Sequence, residues 1–145
     1  MSEWNCSTPE ERISRWKDLR DSLDGSDEEE MLNNVAQFFA DIPVGPRYID
    51  YYTPDSWPTP WEILYDKLFC PNSISLLIYY TLLLQLGEDR IEVVLIDDKK
   101  DRFLVPLLDK KYILNYVLGE ISSIEEFPQV QVIESFRNDE IRPLA

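Results

Sequence analysis

The 145-residue chain contains no histidine. No imidazole can therefore act as a general base, pair with a thiol or ligate a metal. Glycine is scarce, with four residues, so no Gly-rich loop cradles a phosphate. There are two cysteines, Cys6 and Cys70, far apart and not in Cys-x-x-Cys spacing. They make no disulfide framework and no zinc site, and reduced thiols are the default expectation. Basic residues are half as many as acidic ones, 14 against 28, and the formal net charge is −14. Such a surface repels nucleic acid and anionic membranes and suits a basic protein partner, although solubility is an equally good use of the same charge. Long apolar runs are missing too. The longest, Ile74 to Leu86, holds Ser75 and Gln85 and is too short to span a bilayer. Met1-Ser2-Glu3-Trp4-Asn5 has neither the basic nor the apolar region of a signal peptide. No metal, no cofactor and no small-molecule substrate are expected.

What is present suffices for one core. Hydrophobic residues make up 44% of the chain and aromatics 12%, at a length that fits a single domain over 1–145. Thr8-Pro9-Glu10-Glu11 combines a cap, a first-turn proline and acids at the positive helix end. Ile13, Trp16, Leu19 and Leu23 then fall on one face, and Asp24-Gly25 ends the helix. Ser26-Asp27-Glu28-Glu29 reads as a capping box opening a second helix, with Met31, Leu32, Val35, Phe38 and Phe39 on its apolar side. Residues 8–40 thus form a helical hairpin, an annex to a core over 55–136. The acidic run Asp27 to Glu30 reads as a solvated first turn.

Residues 41–60 show no periodicity. They hold Pro43, Pro46, Pro54, Pro58 and Pro60, with Tyr48, Tyr51, Tyr52 and Trp57 between them and Trp61 just after. Proline stiffening lowers the entropy lost on docking, and Tyr and Trp supply contact area. Tyr48, Tyr51, Tyr52, Trp57 and Trp61 are therefore the candidate contact residues for another protein. The competing reading has these rings stapling the segment to the core.

Thr59-Pro60-Trp61-Glu62 repeats the cap and capping-box pattern and predicts a short helix from Pro60 to about Leu68. Cys70-Pro71-Asn72-Ser73 opens a central helix that Gly87 ends. Its apolar residues go nearly all the way round, the mark of a buried helix. Ile91 to Ile96, Arg102 to Leu108, Tyr112 to Tyr116 and Gln129 to Phe136 read as strands, with turns at Asp97-Asp98-Lys99-Lys100 and Asp109-Lys110-Lys111. Ser122 to Phe127 reads as one helical turn and Arg137 to Ala145 as a polar tail. Asp97-Asp98 reads as a solvated turn pair rather than a metal site. The fold class is α+β: a helical hairpin and a central buried helix packed on an antiparallel sheet.

Trp57, Thr59, Pro60, Glu62 and Leu64, then Cys70, then a long apolar helix closing on Leu86-Gly87, then Tyr112-Ile113-Leu114-Asn115, occur in a telling order. Over roughly residues 55–116 the chain resembles the transglutaminase-like cysteine peptidases of bacteria and phages, with their papain-like core. The resemblance puts the nucleophile at Cys70, the histidine near Phe103 or Leu104 and the third catalytic residue at Asn115. Leu68 and Phe69 stand where glycine and aspartate would precede the cysteine. The start of a helix favours a thiolate, whereas apolar neighbours such as Leu68 and Phe69 favour the neutral thiol. Cys70 and Asn115 are thus expected to be vestigial, and the chain is expected to be no enzyme. The function this implies is a non-catalytic structural or interaction protein on a degenerate transglutaminase-like fold. By analogy with phage members it would be a virion component of neck, tail or baseplate, cytoplasmic if cellular and in the virion if phage-encoded. The alternatives are a residual cysteine hydrolase or transferase using Cys70 with a base borrowed from a partner, and an acidic inhibitor protein.

Overall fold

The computed structural model describes residues 4, 7–46 and 48–144, so Cys6 lies outside the described residues. Helix α1, Pro9–Leu23, starts where Thr8 Oγ1 accepts from the Glu11 N–H at 3.2 Å. Trp16, Leu19 and Leu23 are buried on its inner face. Arg12 is buried there too, and its guanidinium donates to the carbonyls of Ser7, Leu64 and Tyr65. Burial presses the Arg12 pKa below its ordinary value, although Glu10 and Glu11 work the other way. Gly25, at φ +83°, makes the tight turn that a side chain would resist. Helix α2, Glu28–Phe38, is capped by Asp27, which accepts from the Glu30 N–H at 2.9 Å. The Ser26 capping box expected from the sequence is not formed. Ser26 closes the loop instead by donating to the Ser22 carbonyl.

Helix α3, Pro60–Asp66, is opened by the Thr59–Glu62 capping box and ends earlier than expected. Lys67 turns left-handed at φ +53°, and the chain leaves the helix there. Helix α4, Pro71–Leu86, is N-capped by Cys70 and closed by Gly87 at φ +88°. Its residues 73–82 are all buried, as the apolar circumference requires.

The sheet contains β1 (Ile91–Asp97), β2 (Arg102–Leu108), β3 (Tyr112–Leu114), β4 (Ile121–Ser123) and β5 (Gln131–Phe136), in the order β4-β3-β2-β1-β5. All neighbours are antiparallel, and β1 pairs with β2 from Ile91–Leu108 to Asp97–Arg102. Val93, Leu95, Leu104 and Leu108 join the main core with α4. Val94, Ile96, Val105, Leu107 and Ile113 form a smaller core, covered by Phe103, Tyr116, Ile124, Phe127 and Val130. Two buried faces explain why β1 and β2 read as continuous apolar runs rather than alternating ones.

The helical turn expected within Ser122 to Phe127 forms as the 3₁₀ turn Ile124–Glu126, and the residues before it make the short strand β4, which was not expected. Strand β3 stops at Leu114, because Asn115 takes the left-handed conformation at φ +66°. The polar tail is tied down. Tyr79 Oη donates to Asn138 Oδ1, Tyr80 Oη donates to the Arg142 carbonyl, and Ile141 is buried. Burial pushes the Tyr80 hydroxyl up to about 12 and moves Tyr79 in the same direction. Among the described residues no helix is long and apolar enough to cross a membrane.

Candidate functional site

Strand β2 is longer than its neighbour β3, which pairs only with Leu107 and Leu108. The first half of β2 therefore has an open backbone edge, and side chains fill it. Asn72, in the first turn of α4, accepts the Leu104 N–H on Oδ1 at 2.9 Å. Ser75, three residues on, donates to the Leu104 carbonyl at 2.7 Å. Tyr51 Oη donates to the Arg102 carbonyl at 2.9 Å and accepts from Asn72 Nδ2 at 3.4 Å. Polar side chains on one helical turn and one loop replace a strand, as buried backbone groups demand partners. Asn115 completes the join by donating from Nδ2 to Ser75 Oγ at 2.8 Å and to the Pro71 carbonyl at 3.0 Å. The residue that begins α4, Cys70, is thus locked against the sheet.

Cys70 is 2% exposed. Its Sγ accepts the Ser73 N–H at 3.3 Å, and its own N–H goes to Ser73 Oγ at 2.9 Å, a reciprocal cap built on a thiol. Above it opens a cleft of about 480 Å³, lined by Gly45, Pro46, Cys70, Asn72, Arg102, Phe103, Asn115, Tyr116 and Leu118 among others. Phe103 stacks on Tyr116 with ring centroids 5.7 Å apart and planes 13° apart. Tyr116 is held from behind by Phe127 and by a long contact to Asp98. Asp97 and Asp98, at the turn beside the cleft, titrate below the usual carboxylate range. The Lys99 backbone N–H and then Arg102 stabilise Asp97 as the anion, and the N–H groups of Asp101 and Lys100 do so for Asp98. The turn is thus self-satisfied. Among the described residues, no three His, Cys, Asp or Glu side chains form a group able to hold a metal ion.

The resemblance-derived positions come together. Cys70, Phe103 and Asn115 line the same cleft. The five expected contact residues do not form one surface. Tyr48 is 89% exposed and shares a hollow of about 210 Å³ with Tyr51, Tyr52 and Asn72, which places it beside the Cys70 cleft. Tyr52 is exposed there, and Tyr51 is half-buried in its hydrogen bonds. Trp57, expected as a contact residue, is not at the surface. It is 1% exposed, packs edge-on against Phe136 at 4.9 Å and donates its indole N–H to the Asp50 carbonyl. For Trp57 the stapling alternative holds, because an extended loop needs an apolar anchor. Trp61 sits elsewhere, on α3 against Trp16 of α1. Sequence reasoning passed over Asn72, Tyr116, Leu118 and the Gly45-Pro46 wall. Of these only Asn72 carried a signal, since an asparagine two residues after a helix cap is suited to bonding backbone outside its own helix.

Neither family models nor curated proteins show any match to the chain. Solved structures do. Calcium-bound Legionella pneumophila LapG superposes with a TM-score of 0.76 at 19% identity, over 91% of this chain and 77% of LapG. The EGTA-treated form gives 0.75 at 20% identity, over 90% and 74%. The chain has the transglutaminase-like fold. LapG is a transglutaminase-like cysteine protease. The expectation that the chain is no enzyme is corrected by this likeness, because the fold it shares is one on which a protease is built. The missing histidine describes the composition of the cleft and does not by itself remove the chain from enzymes.

Proposed function

We propose that the chain binds an extended segment of another protein in the cleft over Cys70. The observation that carries this is the cleft's lining. Phe103 and Tyr116 present an aromatic wall, Leu118 stands 64% exposed at the rim, and the exposed Tyr48 and Tyr52 continue the depression past Asn72. Apolar walls with a few fixed polar groups suit a polypeptide, and the rigid strand–helix join beneath lowers the ordering cost of binding. The excess of acidic residues favours a partner with basic character and makes association faster at low salt.

A second reading rests on one observation, the Cys70 sulfur at the N-terminus of α4 in the same cleft. With a base brought by the partner, the thiolate would attack a carbonyl carbon of the bound segment. The amine would then leave with the proton and a thioester would remain on Cys70.

Peptides selected from a displayed random library against the wild-type protein test both readings. Leu118→Asp, and separately Tyr48→Ala with Tyr52→Ala, should weaken the selected peptides about tenfold or more by calorimetry, as loss of a contact centre does. Unchanged affinity in both variants would count against the cleft. Mass spectrometry of the mixture, with Cys70→Ala as control, decides the second reading: an acyl adduct on Cys70, or peptide cleaved only by the wild type once water has hydrolysed the thioester, supports it, and unmodified protein with intact peptide counts against it.

A further inference from the structure

The helical annex carries a second surface. On α1, Arg20 lies with its guanidinium carbon 4.2 Å from the ring centre of Trp16 and 6.0 Å from that of Trp61 on α3. The two indoles meet edge-to-face at 5.0 Å, and the inner one is anchored by an N–H bond to Thr81 Oγ1 at 2.9 Å. Arg20 Nε is buried without a hydrogen-bond partner among the described residues. Nor does any carboxylate among the described residues pair with Arg20, although the chain has two acidic residues for every basic one. Helix α1 holds Arg15, Lys17 and Arg20 beside the carbonyl-bound Arg12, against Glu10, Glu11, Asp18 and Asp21, and Lys17 pairs with Asp21, while α3 adds Glu62, which Arg142 pairs, and Asp66.

The apolar surroundings are open to solvent. Trp61 is 41% exposed, and Tyr65, one turn along α3, is exposed as well. Leu84 is exposed on α4, next to Gln85, whose amide reaches the Arg20 carbonyl. Trp, Tyr and Arg are the residue types that dominate binding energy at protein interfaces. An arginine stacked on indole keeps the edge of its guanidinium plane free for in-plane donation to a carboxylate.

We infer that the Arg20–Trp61–Tyr65 face docks a partner protein through a carboxylate side chain flanked by apolar side chains. The carboxylate is received by the two terminal guanidinium nitrogens, since Nε is buried, and the apolar groups lie on Trp61 and Tyr65. This surface lies apart from the Cys70 cleft and stands whether or not the cleft binds a polypeptide. The complementary charge selects the occupant. A basic partner would be refused here and drawn to the acidic remainder of the molecule.

The test uses the ¹H–¹⁵N spectrum of the full chain. Trp4, Trp16 and Trp57 are buried, so the exposed Trp61 indole N–H is a reporter for this face. The probes are acetyl-Leu-Glu-Leu-amide and the same tripeptide with Gln, Lys or phosphoserine at the centre. The Glu peptide should move the Trp61 indole and Arg20 Nε–H signals saturably, and the Gln peptide should bind about tenfold more weakly. Arg20→Gln should abolish that preference and Arg20→Lys should keep part of it, which separates a lost contact from a lost fold. Equal binding of Glu and Gln peptides, tighter binding of the Lys or phosphoserine peptide, or no saturable shift at millimolar peptide would each overturn the inference.

Discussion

Asn72 satisfies the Leu104 N–H at a place no strand reaches. Asn72→Ala leaves that buried donor unpaired and should cost about 1–3 kcal/mol in a urea melt. Asn72→Asp keeps an acceptor there and should recover part of the loss. A cost near zero for the alanine variant would show that water serves Leu104 equally well. At Cys70 the thiol is the helix cap. Cys70→Ala should lose about 1 kcal/mol and Cys70→Ser should lose less, because a hydroxyl caps at least as well. Equal losses would mean that the sulfur packs rather than caps. The sequence shows Cys70 as a helix start because proline follows it. It does not show that Asn72, Ser75 and Asn115 converge on one stretch of backbone, because that depends on where β3 ends. The left-handed turn at Asn115, not any apolar pattern, sets that end.

Among the elements, α4 is the axis on which the rest is placed. Leu77 is fully buried among residues of the main core. Leu77→Ala should cost about 2–5 kcal/mol, the range for truncated core leucines. A loss below about 1 kcal/mol in a denaturant melt would mean that the helix is not enclosed. This helix and the strands β1 and β2 were legible because an apolar circumference and a β-branched run each have one good physical solution. One short strand was not. Strand β4, Ile121–Ser123, is three residues long, and its hydrogen bonds come from pairing with Tyr112–Leu114 rather than from local pattern. Trp57 illustrates the same limit. Its neighbours in sequence are polar and proline-rich, and only the arrival of Phe136 from β5 makes its position a core position.

For the whole molecule, charge sets the response to pH. Arg90 joins α2 to the sheet by bonding Glu28 and Asp109 at once. Both carboxyls are held below their ordinary values, chiefly by the hydrogen bond from Arg90. A carboxylate with a depressed folded pKa contributes stability above its unfolded value, and the contribution fades as the pH falls through the folded value. The stability difference between wild type and Arg90→Met should thus be constant above about pH 5 and shrink below about pH 4. It should not exceed about 1 kcal/mol, since all three side chains are more than a third exposed. A difference that persists unchanged at pH 2.5 would show that Arg90 acts through packing. The fold places an aromatic-walled cleft over the head of its central helix, and that cleft is the proposed seat of binding. The most direct test is the chemical-shift map of the wild-type protein with a library-selected peptide. The largest changes are expected on Gly45, Phe103, Tyr116 and Leu118, with Tyr48 and Tyr52 beside them. Changes confined to other surfaces, with the signals of Phe103, Tyr116 and Leu118 unmoved at saturation, would contradict it.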